Sequence, residues 1–163
     1  MPKLPQNVLR IRLKNELEMC RKELRHEVVP EDPEFSKFPT KIYVTLKNVP
    51  GPVVKQGKVT IVMEHKFVMI ITDEYPYRKP IVQWLTDIYH PNITQPKDGG
   101  HFCSGLLKND SFNFSLVSFI KSVEALLMTP NPYSPWDTAS CMSAAKYFHE
   151  RNKKSGKMNV QSR

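Results

Sequence analysis

Between Tyr89 and Gly105 the sequence YHPNITQPKDGGHFCSG can build neither a long helix nor a long strand. Pro91, Pro96, Gly99 and Gly100 interrupt both kinds of backbone ladder, and His90, Asn92, His101 and Cys103 stand among them. A strand-like run, Ile81 to Ile88, leads into the stretch, and a long apolar helical pattern, Leu116 to Met128, follows it. Polar and nucleophilic residues set between two apolar elements describe a loop-borne site on a rigid scaffold. The rest of the chain has to supply that scaffold.

Upstream, Leu9, Leu13, Leu17, Cys20 and Leu24 recur at steps of four and three, which predicts a helix over Val8 to His26. Cys20 lies on its apolar stripe and reads as a core residue. Pro30 and Pro33 then forbid helix. Thr40 to Val49 alternates between apolar and polar side chains, the pattern of a half-buried strand, and Pro50-Gly51-Pro52 reads as a turn. Lys58 to Glu64 and Phe67 to Thr72 read as two more strands, joined by a tight hairpin at Glu64-His65-Lys66. After the breaker run Tyr75 to Pro80, Ile81 to Ile88 is the fourth strand. Ser115 is a plausible N-cap for the helix over Leu116 to Met128, and the proline loop Thr129 to Pro135 stops it. A second helix is expected from Thr138 to about Asn152, followed by a flexible basic tail from about Lys153. The predicted class is α+β in one domain over 1–163. It comprises an N-terminal helix, a four-stranded antiparallel meander, the site loop and two helices.

The three cysteines, Cys20, Cys103 and Cys141, are odd in number and form no CxxC pair, which argues against a disulfide framework or a zinc ribbon. No run is long and apolar enough to cross a membrane, and the N-terminus has no signal-peptide core, so a cytoplasmic protein without a membrane partner is expected. The net charge of +8 invites acidic partners, or it marks a solvated basic face.

Cys103 lies outside any apolar stripe, so its thiol is expected to be reachable. Three chemistries are open to it. A hydrolase needs a base and a group to orient it; His101 and His90 are candidates for the base, but no third member is evident. A metal site from His90, His101 and Cys103 lacks a fourth ligand at the usual spacing. A carrier thiol needs only exposure and a pKa that is not strongly depressed. Aminolysis of its thioester is helped by a neutral donor facing the oxyanion, and Asn92 has the right chemistry. Asn92 also has the chemistry of a turn residue bonded to local backbone.

These residues resemble the ubiquitin-conjugating enzyme family. The opening helix with Arg12-Leu13-Lys14-Asn15-Glu16-Leu17, the turn Tyr75-Pro76 with Pro80, the motif Tyr89-His90-Pro91-Asn92-Ile93 followed by Cys103, the loop Pro130-Asn131-Pro132 with Pro135, and Ala144, Ala145 and Phe148 occur in the family's order. The resemblance covers most of the chain and implies the UBC fold. It implies that Cys103 takes ubiquitin or a ubiquitin-like modifier as a thioester, and that a lysine amine receives it. Asn92 would support that transfer as oxyanion donor or by holding the loop, and His90 and Pro91 would be structural. Arg12 and Asn15 would meet the activating enzyme, while Tyr77 and Phe112 would face a ligase, expected to be of RING type; both aromatics also read as ordinary half-buried loop residues. No metal or cofactor is implied, since ATP is used by the activating enzyme. Ser134 occupies a gateway position that is often aspartate, and it can exchange hydrogen bonds but not act as a carboxylate. Three departures from the family pattern are expected: extra residues between Asn92 and Cys103, a short hairpin between the second and third strands, and no final helix, because Gly156 and the polar tail break the pattern. Two rival readings remain. One is a catalytically inactive relative that only binds ubiquitin or a ligase. The other is a basic nucleic-acid-binding domain in which Phe112 and Phe114 stack bases among Lys108, Asn109 and Asn113, although no RNA-binding signature supports nucleic acid as a partner.

Overall fold

The computed structural model describes residues 2–107 and 114–161, with side chains up to 154. Helix α1 spans Gln6–Glu23 and buries Leu9, Leu13, Leu17 and Cys20, the predicted stripe. It ends three residues short of the expected His26. Glu27–Pro30 is strand β1, which sequence periodicity did not reveal; it pairs antiparallel with the segment Ile42 to Thr45. His26 is drawn into the structure instead. Its Nδ1 accepts from the Lys47 N–H at 2.9 Å, and its Nε2 lies 3.0 Å from the Glu124 carboxylate.

Strand β2 runs through Thr40–Lys55 and β3 through Lys58–Ile71, so the two expected turns are not there. Pro50-Gly51-Pro52 passes a bulge between Lys47 and Gly51, a place where proline's missing N–H does little harm. Glu64, His65 and Lys66 sit inside β3, opposite Lys47, Leu46 and Thr45. The reversal comes at Gln56-Gly57, both with positive φ (51° and 76°), as a two-residue type I′ hairpin requires. The hairpin is therefore tight at its tip but long in its strands. Gly51 is obligatory on steric grounds, because a Cβ there would strike the buried His65 ring and Leu127.

Strand β4, Ile81–Trp84, completes a four-stranded antiparallel sheet in the order β1-β2-β3-β4. It stops before the expected Ile88. Helix α2, Leu116–Met128, is capped by Ser115, whose Oγ accepts from the Ser118 N–H at 3.1 Å while Ser118 Oγ accepts from the Ser115 N–H at 3.1 Å. The inner sheet face packs with α1 and α2 around Leu13, Ile42, Leu46, Phe67, Phe119 and Leu127. Burying each such side chain contributes about 1.5–3 kcal/mol. Helix α3, Ala139–Gln161, is longer than expected and contains Gly156, so the predicted break at that residue does not occur. The layout is the expected α+β arrangement of one helix, four strands, a site loop and two helices.

Candidate active site

The stretch from Tyr89 to Gly105 crosses from the end of β4 to the approach of α2. It holds two single-turn 3-10 segments, Pro96–Asp98 and Ser104–Leu106. Gly99 and Gly100, with φ of 103° and 62°, fold it back so that His101 meets Gln83 and Phe102 meets Ile93 in isolated β-bridges. A side chain at Gly100 would collide with the Trp84 backbone, so glycine is needed for this close approach.

His90 is wholly buried. Its Nε2 lies 2.9 Å from the Leu126 carbonyl, and its Nδ1 accepts the Asn92 N–H at 3.0 Å. These partners require a proton on Nε2 and none on Nδ1, the neutral tautomer. Burial pushes its pKa down to about 4, consistent with that state. His90 therefore ties the end of α2 to the site loop and is unavailable as a surface base.

Asn92 is also fully buried. Its Nδ2 donates to the carbonyls of Asn131 and Ser134, each at 3.0 Å, and its Oδ1 accepts the Asn131 N–H at 2.8 Å. Its main-chain carbonyl accepts from Cys103 N at 3.1 Å and from Trp136 Nε1 at 2.9 Å. One asparagine thus joins the Cys103 backbone to the proline loop of 129–137. With both Nδ2 hydrogens engaged, this geometry presents Asn92 as a clamp.

Cys103 is half-buried, whereas Cys20 and Cys141 are buried. Burial pushes the Cys20 thiol up to about 12 and also raises that of Cys141. Cys103 precedes the 3-10 turn at Ser104, and its carbonyl accepts from Leu106 N at 3.2 Å. His101, the other candidate base, lies against Trp136 with ring centroids 5.7 Å apart. Among the described residues no three His, Cys, Asp or Glu side chains gather as a metal site would need.

The structure brings His90, Pro91, Asn92, Cys103 and Ser134 together. Ser134 takes part through its main-chain carbonyl, and its side chain is exposed. Asn15 is exposed on α1, and Tyr77 is 58% exposed on the loop before β4. Arg12 is more engaged than expected. It donates to the Phe114 carbonyl at 2.8 Å, pairs with Glu16 at 3.3 Å and lies over the Tyr75 ring. Phe112 lies outside the described residues.

Trp136 and Ser143 escaped sequence reasoning, whereas Tyr89 belongs to the motif singled out above. Trp136 donates from its backbone to Pro91 O at 3.0 Å as well as from its indole to Asn92 O. Tyr89 Oη and Ser143 Oγ, 2.6 Å apart, tie the start of the loop to α3. A lone tryptophan just after a proline loop was the available signal for the first; nothing in the sequence marked the second.

Over residues 22–160 the chain matches the model of the ubiquitin-conjugating enzyme family. It belongs to that family. Among its relatives, ubiquitin-conjugating enzyme E2 13 of Schizosaccharomyces pombe is 39% identical over 70 residues, covering 42% of this chain and 45% of that one. Ubiquitin-conjugating enzyme E2 3 of Arabidopsis thaliana is 30% identical over 90 residues, covering 55% and 58% respectively. The similarity thus spans about half the length of these relatives. In structure the family member resembles Ubc12 of S. cerevisiae with a TM-score of 0.66, at 24% identity, over 90% of this chain and 74% of that one. It also resembles a chain described as a novel ubiquitin-conjugating enzyme with a TM-score of 0.63, at 17% identity, over 88% and 86%. These likenesses establish the ubiquitin-conjugating fold.

Proposed function

We propose that this chain carries ubiquitin or a ubiquitin-like modifier as a thioester on Cys103 and passes it to a lysine amine. The observation that carries the reading is the position of Cys103. It is the partly exposed cysteine of the three, and its backbone is held by the buried His90–Asn92 motif in a chain of this family.

In the first step the Cys103 thiolate attacks the modifier's thioester carbonyl on the activating enzyme. A new C–S bond forms, the old one breaks, and the activating enzyme's thiolate leaves. In the second step a lysine amine attacks the same carbonyl. A C–N bond forms, the Cys103 thiolate leaves, and the amine proton passes to solvent. Thioester exchange is nearly balanced in energy, so the first step needs no strong base. Asn92 serves as the clamp that holds the 129–137 loop beside Cys103, and Ser134 contributes through its backbone. His90 and Pro91 support Asn92. Asn15 and the exposed part of Arg12 face the activating enzyme, and Tyr77 with Phe112 faces a RING-type ligase. The chain itself uses no cofactor; ATP is consumed by the activating enzyme. A reducing compartment such as the cytosol suits three unpaired cysteines.

The test is incubation with activating enzyme, ATP and ubiquitin, then a non-reducing gel. A reductant-labile adduct is expected in the wild type, and none or a reductant-resistant ester in Cys103→Ser. A labile adduct on Cys103→Ala overturns the assignment. Wild-type protein that forms no adduct yet binds ubiquitin or a ligase would be a non-catalytic binding member of the family.

A further inference from the structure

The main-chain carbonyl of Asn92 accepts two hydrogen bonds, from Cys103 N at 3.1 Å and from Trp136 Nε1 at 2.9 Å. A carbonyl oxygen has two lone pairs, so each donor has one to itself. Asn92 is wholly buried, so water does not freely replace a donor that is removed. The carbonyl that holds the Cys103 N–H is thus held in turn by an indole.

Trp136 has two further holds on the same loop. Its backbone N–H donates to the Pro91 carbonyl at 3.0 Å. Its ring lies beside that of His101, with centroids 5.7 Å apart and planes inclined at 38°. His101 is itself fixed to Thr94, since its N–H donates to Thr94 Oγ1 at 2.6 Å and its carbonyl accepts from Thr94 N at 2.8 Å. Pro91 and Asn92 lie on the outgoing arm of the site loop, and His101 and Cys103 lie on the returning arm. One half-buried side chain therefore meets both arms, one of them two residues from Cys103. That contact needs a flat apolar body with a donor at its edge, which tryptophan supplies. The Asn92 amide is spent on Asn131 and Ser134, so the indole bond is separate from that clamp.

We infer that Trp136 is a positioning residue for transfer from Cys103. Its indole N–H acts through the Asn92 carbonyl and fixes the Cys103 backbone while a lysine amine attacks the thioester. The inference rests on the carrier reading of Cys103 and adds a residue to it. Exchange onto the thiol is nearly balanced and tolerates a loosely held cysteine. Aminolysis depends more on alignment of the reacting atoms. The indole should therefore matter in the second step and not in the first.

The experiment uses the full chain, charged with ubiquitin by activating enzyme and ATP, then stopped and chased without ligase over a range of free lysine. Trp136→Phe keeps an aromatic ring beside His101 and removes the donor. A second protein carries benzothienylalanine in place of Trp136, which puts sulfur where the N–H was and otherwise keeps the shape of the indole. Both proteins should charge at the wild-type rate. Both should discharge about tenfold more slowly at saturating lysine, with the half-saturating concentration unchanged. Wild-type discharge in the benzothienylalanine protein overturns the inference and leaves the carrier reading intact, whatever Trp136→Phe does. Equal loss of charging and discharge also overturns it, since the loop would then simply have loosened. So does a raised half-saturating concentration at an unchanged maximal rate, which would make Trp136 a contact for the incoming lysine. Failure of the wild type to form any thioester overturns the carrier reading, and this inference with it.

Discussion

Asn92 Nδ2 donates to the Ser134 carbonyl at 3.0 Å, across a sequence separation of 42 residues. The same amide holds Asn131 through two further hydrogen bonds, one in each direction. The Asn131–Ser134 part of the proline loop is therefore held to the site loop by one buried side chain, beside the two bonds that Trp136 makes to Pro91 and Asn92. Since Asn92 is fully buried, water does not replace these bonds when they are lost.

Removing the amide should be costly in two ways. Asn92→Ala leaves two carbonyls and one N–H without their partner, and we expect a loss of about 2–4 kcal/mol in urea unfolding. Asn92→Asp keeps the acceptor for Asn131 N–H but sets carboxylate oxygen against two carbonyls, so it should be no better. Both variants should still charge Cys103 while discharging to lysine more slowly. A variant that unfolds no earlier than wild type would show that the clamp is not what holds the loop.

Thiol alkylation should separate the three cysteines. Cys20 and Cys141 are buried with raised pKa values, and Cys103 is partly exposed. Brief iodoacetamide treatment of folded protein at pH 8, read by peptide mass spectrometry, should label Cys103 first and nearly alone. Equal labelling of Cys141 would contradict its packing against Ile93 O.

Acid should weaken the fold before the carboxylates titrate. His90 has its pKa pushed down to about 4 by burial, below the ordinary value near 6.5, so the unfolded chain takes the proton first. Its stabilising effect is whole above pH 6.5 and drains away as pH falls toward 4, by up to about 1.4 kcal/mol per unit. Buried His65 acts in the same direction, its pKa lowered by burial and its Nδ1 without a partner. Glu16 opposes the trend at lower pH, since burial raises its pKa and the folded state holds its proton more tightly. Urea midpoints at pH 7.5 and pH 5 should differ by about 2 kcal/mol in stability, the acid sample being weaker. Equal midpoints would mean that these rings do not stay neutral in the fold.

Glu16 should matter as an acceptor more than as a charge. Its Oε1 accepts from Tyr75 Oη and from Leu116 N, both at 3.0 Å, and so joins α1 to the breaker turn and to the start of α2. Glu16→Gln retains an acceptor oxygen, and a change within about 1 kcal/mol is expected. Glu16→Ala strands the buried Tyr75 hydroxyl and should cost about 2–4 kcal/mol. Thermal melts of the two variants side by side would decide between the roles.

Elements with a strong local period were legible in advance. The stripe Leu9, Leu13, Leu17 and Cys20 predicted α1, and the cap Ser115 with Leu116, Phe119, Ile120, Val123 and Leu127 predicted α2. The sheet was less legible because its errors came from ambiguous breakers. Pro50-Gly51-Pro52 is a turn signal on its own, yet a bulge absorbs it inside β2. Glu64-His65-Lys66 is polar enough for a hairpin, yet His65 is buried in the hollow left by Gly51. β1 has four residues and ends in proline, too little for a period to show. At the site, the residue types were readable and their partners were not.

The sequence by itself determined that a breaker-rich loop with His90, Asn92 and Cys103 would sit between an apolar strand and an apolar helix. Breakers and periodic stripes act through neighbours in the chain, so they are visible without the fold. Only the tertiary structure decided what those residues do to one another. It turned the His90 ring onto Leu126 and spent both Asn92 hydrogens on the loop of 129–137. It also brought the Trp136 indole onto the Asn92 carbonyl. These pairings join segments tens of residues apart, and no local preference encodes them. They form because buried polar groups must find partners once the core has excluded water.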